Sequence, residues 1–269
     1  EIPPIKANES MYLRLTTSRE GSWDATNPQG MVFIDGKSCL QGLDTNHTEI
    51  ELTPSKKNIS IYFYAGMSNA VLFPCFALVT KNNDAEKLYY DLGVAFAAMK
   101  LLDKNSSTYA AVCSVLDRAC MLLDFRGLRS PEFYESVKAA DAFMEEEYFD
   151  KLCGKAPAAD GTISLIGHTH IDVAWLWTLA QTEEKAERSF STVIRLMEKY
   201  PDYIFMSSQP QLYAYVKQND PELYEKIKTR IKQGRFEPEG AMWLESDTNL
   251  VSGESLIRQI LYGKKFMEE

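Results

Sequence analysis

Histidine is scarce in this chain, with three residues in 269: His47, His168 and His170. Cysteine is sparse and unordered. Cys39, Cys75, Cys113, Cys120 and Cys153 are odd in number, scattered, and form no C-x-x-C pair. That excludes a disulfide framework and a zinc ribbon, and it points to a reducing, cytoplasmic location. Four N-x-S/T triplets, at Asn8, Asn46, Asn58 and Asn105, are too common by chance to argue for secretion. Basic residues are outnumbered 29 to 38, for a net charge of −9. A surplus of acid excludes nucleic acid or an anionic membrane surface as the main partner. No apolar run approaches the ~18 residues needed to cross a bilayer, and the stretch Ala70 to Val79 is too short.

What the chain does have is the composition of a globular protein, 45% hydrophobic and 25% charged. Its length suggests about two domains at ~150 residues each, enough to bury a core without covalent staples. Residues 1–80 read as β-structure. Met11, Leu13 and Leu15 alternate, as do Ile50 and Leu52, and Ile59, Ile61 and Phe63. A period of two places each set on one face of a strand. Turn signals at Asn27-Pro28-Gln29-Gly30, Asp35-Gly36 and Thr53-Pro54-Ser55 divide them. The expectation is an antiparallel, sandwich-like domain with Pro74 at an edge.

Residues 81–155 change to a helical period. Leu88, Leu92, Ala95, Phe96 and Met99 form one stripe, and Val112, Val115, Leu116 and Cys120 another. Ser130-Pro131 is a helix start, an N-cap followed by proline. A helical connector is expected here, closed by a linker at "GKAPAADG", residues 154–161. From residue 156 to 269 strands and helices alternate. Strands are expected at Thr162–Gly167, Tyr203–Ser207 and near Phe236–Trp243, with helices at about Ala174–Lys199, Gln211–Gln233 and after Gly253. Short links between them imply βαβ units and a parallel sheet. The fold class is therefore mixed, β-rich then helical then α/β.

The chemistry-bearing residues gather at two strand ends. "SLIGHTHIDVAWLW", Ser164 to Trp177, follows an apolar run with His168, His170 and Asp172. In an extended segment alternate residues point the same way, so the three could share a cavity. Ligands of parallel sheets sit beyond the carboxyl ends of the strands, and imidazole nitrogen with carboxylate oxygen suits zinc. "GAMWLESDTN", Gly240 to Asn249, delivers Glu245 and Asp247 to the same edge. The plainer explanations are a core histidine, core tryptophans at Trp175 and Trp177, and carboxylates that cap the next helix. Spacing alone leads to a metal-dependent hydrolase and leaves these open.

"GHTHIDVAWLW" resembles the H-x-H-x-D-x-x-W signature of family 38 glycoside hydrolases, the zinc-dependent α-mannosidases. "GAMWLESDTN" resembles their second signature, 75 residues on from Asp172 to Asp247. "DGKSCLQGLDTNHTEIEL", Asp35 to Leu52, is similar to the β-rich N-terminal region of the cytosolic and bacterial branch. The resemblance implies that His170, Asp172 and Asp247 hold Zn2+, with Co2+ or Mn2+ as other ions such donors accept. It implies Asp247 as the nucleophile of a retaining mechanism, Trp175 as an apolar wall against the sugar, and His168 as a supporting residue and not a ligand. Mannose-containing oligosaccharides are the implied substrates, with no nucleic-acid or membrane partner, and a homo-oligomer is possible for the full-length protein. The family's fourth ligand is a histidine downstream of the nucleophile, and its acid/base carboxylate also lies downstream; no histidine follows His170. The chain is thus expected to be an N-terminal fragment, inactive by itself.

Two other readings compete. One is a water-activating metal hydrolase of the deacetylase or amidohydrolase kind, in which no covalent sugar adduct forms. The other is a carbohydrate-binding module on the β-rich region, with Tyr12, Phe33, Tyr62 and Tyr64 as lining residues and the α/β half as scaffold.

Overall fold

The computed structural model describes residues 4–16, 29–36, 39–53, 58–64, 74–154 and 163–269. The turn residues Asn27-Pro28 and Pro54-Ser55 lie outside these, as does most of the expected linker, and so does the side chain of Tyr64. The elements in order are β1 (Glu9–Thr16), β2 (Gln29–Ile34), β3 (Cys39–Leu43), β4 (Glu49–Leu52), β5 (Ile59–Tyr64) and β6 (Cys75–Asn82). Next come α1 (Asn83–Met99), α2 (Ser107–Met121) and α3 (Pro131–Met144), which continues as a π-helix over Glu145–Cys153. The last stretch holds β7 (Gly167–His168), α4 (Leu179–Lys199), β8 (Phe205–Ser207), α5 (Pro210–Asn219), α6 (Pro221–Lys232), β9 (Phe236–Pro238) and α7 (Gly253–Met267). The described strands make sheets of order β4-β1-β6, β3-β2-β5 and β7-β8-β9. The mixed class expected from the sequence is the one observed.

The chain divides into two compact units, one of Leu13–Ala77 with Ser164–Glu269, the other of Ile2–Tyr12 with Leu78–Ile163. In the first, β2 pairs antiparallel with β3 and β5, and a bulge interrupts the β2–β3 register between Val32 and Phe33. The period of two is real along β5, where Ile59, Ile61 and Phe63 are half-buried while Ser60 and Tyr62 are exposed. The β7-β8-β9 sheet is parallel throughout, with Gly167 opposite Phe205 and Phe205 opposite Phe236.

Helix α4 links these two layers of the first unit. One face buries Ala186, Phe190, Val193, Ile194 and Met197, at spacings of three and four, with Phe205, Tyr213 and Phe236. Each large side chain so buried contributes about 1.5–3 kcal/mol. Another face meets the β-layer. The Gly42 N–H donates to Thr192 Oγ1 at 2.8 Å, Lys185 Nζ donates to Gln29 Oε1 at 2.8 Å, and Arg195 pairs with Glu51 at 3.0 Å. The helix starts at Leu179, later than the sequence pattern suggests, because Thr178 and Gln181 form a reciprocal capping box. It ends at Lys199, where Tyr200 turns extended before Pro201.

In the second unit α1, α2 and α3 pack through Leu88, Ala95, Val112, Val115, Ala119, Val137, Ala140 and Met144. Asn82, Ser106 and Ser130 cap the three helices with their side chains, Ser130 ahead of Pro131 as expected. The predicted stripe on α2 is off by one at its end, since Ala119 is buried and Cys120 exposed. Phe96 is likewise exposed, because the α1 face that meets its neighbours is the Leu88–Leu92–Ala95–Met99 row.

Candidate functional site

The site elements belong to the first unit. Strand β7 is only two residues long, and Ile163, Leu165 and Ile166 before it are 86%, 87% and 51% exposed. The apolar run therefore finds no burial among the described residues, and its ladder begins only where the Gly167 N–H donates to Ile204 O at 2.8 Å. Glycine at 167 leaves room for a neighbouring ring. A Cβ there would stand 2.2 Å from the Tyr203 hydroxyl, which lies across the strand end. His168 is exposed and makes no hydrogen bond or ion pair with His170 or Asp172. The ladder ends at His168, and of the three residues expected to share a cavity only His170 and Asp172 are in contact.

Those two do meet. His170 Nε2 lies 3.2 Å from Asp172 Oδ1, with each side chain about half exposed. Between them Ile171 is buried in the core and anchors the loop. Its carbonyl accepts a hydrogen bond at 2.9 Å from Gln209 Nε2, itself buried at the end of β8. Trp177 fixes the other side, donating from Nε1 to Asp172 O and to Thr182 Oγ1, both at 3.2 Å. Lys185 Nζ sits 4.3 Å over the Trp177 ring. Trp175 stands edge-on to Trp177 with ring centroids 5.7 Å apart, and is 55% exposed. Trp177 is thus the packing tryptophan and Trp175 the one that offers a face to solvent.

The second stretch is held from two directions. Gln211 on α5 accepts from Trp243 Nε1 at 2.8 Å. On α7, the Gln259 backbone oxygen accepts from Trp243 N at 2.9 Å and its side-chain oxygen accepts from Leu244 N at 2.7 Å. Gly263 makes this approach possible, since a Cβ there would lie 1.7 Å from Ala241 O. The segment so held delivers Glu245 to His170, with Oε2 2.9 Å from Nδ1. The other carboxylate oxygen, Oε1, accepts from Ser208 Oγ at 2.5 Å. Glu245 does not cap a helix; Ser252 does that for α7. Asp247 is exposed, and its Oδ1 accepts the Asn249 N–H at 2.9 Å in a local turn. It makes no ion pair with His170.

The structure thus brings His170, Asp172 and Glu245 together and leaves Asp247 on the adjoining loop. Among the described residues, no group of three His, Cys, Asp or Glu side chains is arranged to hold one ion. The His170–Asp172 pair nonetheless has the donor chemistry for a metal edge. Two ligands at 2.0–2.1 Å from a tetrahedral ion stand roughly 3.3 Å apart, close to the separation seen. Sequence reasoning missed Ser208 and Gln209. Their signal was the polar run Ser207-Ser208-Gln209 at the carboxyl end of a central parallel strand, where functional loops are anchored.

Residues 160–269 match the model of the glycosyl hydrolases family 38 N-terminal domain. The chain is 38% identical over 195 residues to α-mannosidase G of Dictyostelium discoideum, a match covering 70% of the chain and 17% of that protein. It is 29% identical over 289 aligned positions to an α-mannosidase of Saccharomyces cerevisiae, across 97% of the chain and 25% of the relative. With α-mannosidase 2C1 of Mus musculus it shares 34% identity over 189 residues, 70% of the chain and 17% of the relative. The chain therefore spans between a sixth and a quarter of the length of these curated relatives.

Proposed function

We propose, from the match of residues 160–269 to the glycosyl hydrolases family 38 N-terminal domain, that the chain belongs to that family and carries the opening part of the active site of a retaining, zinc-dependent α-mannosidase. The substrates are terminal α-mannosides of oligosaccharides. The observation that carries this reading is the His170–Asp172 pair, 3.2 Å apart at the carboxyl end of a parallel sheet, with a further carboxylate on the far side of the imidazole. The relatives' names, all α-mannosidases, support the substrate class.

In this reading His170 Nε2, a carboxylate oxygen of Asp172 and the carboxylate of Asp247 hold the metal. Zinc, when bound, supplies positive charge that holds vicinal sugar hydroxyls and favours a ring shape nearer the transition state. Asp247 attacks the anomeric carbon, so that a C–O bond to the aspartate forms as the glycosidic C–O bond breaks. A second carboxyl group about 5 Å away protonates the leaving oxygen and then takes the proton of the incoming water. Trp175 presents its exposed ring as an apolar wall to the sugar, while His168 supports the loop. The scattered free cysteines are consistent with a cytoplasmic protein.

The test uses full-length protein and an aryl α-mannoside. Hydrolysis should stop with chelator, return with zinc, and fall at least about a thousandfold in Asp247→Asn. A fluorinated mannoside should leave a covalent adduct on Asp247. Metal-dependent activity with no adduct would favour the water-activating hydrolase instead.

A further inference from the structure

We propose that the turn Gln209-Pro210-Gln211 is a positioning clamp that holds the two segments of the site in register. Gln209 grips the loop of His170 and Asp172, and Gln211 grips the segment that carries Glu245 and Asp247. The inference rests on the mannosidase reading above and extends it to residues outside the proposed ligands and nucleophile. Gln209 Nε2 donates to Ile171 O at 2.9 Å. Two residues on, Gln211 Oε1 accepts from Trp243 Nε1 at 2.8 Å, and the Gln211 N–H donates to Trp243 O at 3.3 Å. The turn that joins β8 to α5 thus bonds to the stretch after β7 and to the stretch after β9.

The backbone shows that Gln209 is placed for this contact and not for the helix. It precedes α5 at the N-cap position, where Asn, Asp, Ser or Thr would accept from the first free N–H groups. The Gln209 side chain makes no such bond. Its φ is 67°, a left-handed conformation that is unfavourable for a residue with a Cβ and usually taken by Gly, Asn or Asp. Strain of this kind collects at functional sites, where surrounding contacts impose it. Those contacts lie on either side of Gln209. Pro210 fixes the next φ, while the Ser207 carbonyl accepts from Tyr213 Oη at 2.7 Å and from the Glu239 N–H at 3.0 Å. The conformation gives the buried side chain its reach, to the carbonyl of the residue between His170 and Asp172. Ile171 is then held by its carbonyl and by its side chain in the core, so the backbone that bears His170 and Asp172 has little freedom to shift.

The test uses the full-length protein, an aryl α-mannoside and peptide-level hydrogen exchange. Gln209→Asn suits the left-handed backbone and keeps an amide, but falls a methylene short of the Ile171 carbonyl. It should keep the parent's unfolding temperature and lower kcat about 10–100-fold, with KM within about threefold of the parent. Misplaced groups weaken the transition state more than substrate binding, whereas a merely structural role would not split kcat from KM. Exchange should quicken over residues 168–173. Gln211→Met, of similar volume, removes the acceptor of Trp243 Nε1. It should give the same split with faster exchange over residues 241–247, and it carries the test if Gln209→Asn fails to fold. A folded variant with kcat within about twofold of the parent overturns the clamp, as does a loss confined to KM. Unchanged exchange over the gripped segment overturns it too, whether or not the parent is active. A parent that hydrolyses no aryl α-mannoside overturns the mannosidase reading itself, and this shows before any variant is made.

Discussion

Gly263→Ala puts two physical effects in opposition, and the structure decides between them. In an isolated helix the substitution would help, since alanine is about 1 kcal/mol more favourable than glycine in a helix interior. In α7 the new Cβ would lie 1.7 Å from Ala241 O, 2.7 Å from Ala241 C and 3.1 Å from Trp243 N. All three are backbone atoms, so no flexible side chain can swing away. The helix and the 241–244 segment must separate by an ångström or more. Overpacking of this kind costs about 1–3 kcal/mol. Separation also threatens the two hydrogen bonds to Gln259, from Trp243 N at 2.9 Å and Leu244 N at 2.7 Å, each worth about 0.5–1.5 kcal/mol. Net destabilisation of about 1–4 kcal/mol is expected by urea unfolding. Because this segment carries Glu245 and Asp247, an ångström of displacement should also lower the proposed mannosidase kcat of the full-length protein about a hundredfold. A variant as stable as the parent or more so, with unchanged turnover, would show that α7 does not set the position of these carboxylates.

Two further outcomes follow from other parts of the first unit. Glu187 is buried on α4, and that burial, with the negative charges of Asp220 and Glu184, raises its pKa from 4.5 to about 7. A raised folded-state pKa means its stabilising contribution is whole below about pH 4.5 and is lost as pH climbs through 7. Glu187→Gln should therefore gain roughly 2–3 kcal/mol at pH 8 and nothing at pH 4, read by urea unfolding across that range; an equal effect at both ends would refute the assignment. In the full-length protein Trp175→Ala should leave the unfolding temperature nearly unchanged, since the ring is 55% exposed, yet lower kcat/KM for the proposed α-mannoside substrate about tenfold, or ~1.4 kcal/mol. A large loss of stability without a kinetic effect would make Trp175 a packing residue.

What was legible in the sequence depended on whether the signal was local. The period of two along β5, the Ser130-Pro131 cap and the alternation that predicts a parallel sheet all act within a few residues, and the structure shows each of them. The start of α4 was misplaced because Val173–Trp177 has helix-compatible apolar spacing, while the capping box that sets the boundary needs Thr178 and Gln181 read together. The strand before Gly167 was overdrawn for a different reason. Its apolar run is a signal for burial, but a ladder also needs a partner, and β8 offers one only from Ile204 onward.

The site shows the same division at closer range. His170 and Asp172 are two residues apart, and their contact is local, within the reach of the H-x-D spacing. The contact between His170 and Glu245 joins residues 75 positions apart, and Ser208 joins it from a third strand. No periodicity encodes such a triangle. It exists because parallel strands all end on one edge of a sheet, so residues placed just past each end are brought within reach of one another. The spacing that singled out His170 and Asp172 could say nothing about which further carboxylate would face the imidazole. In the folded chain it is Glu245, while Asp247, two residues later, lies on the adjoining exposed loop.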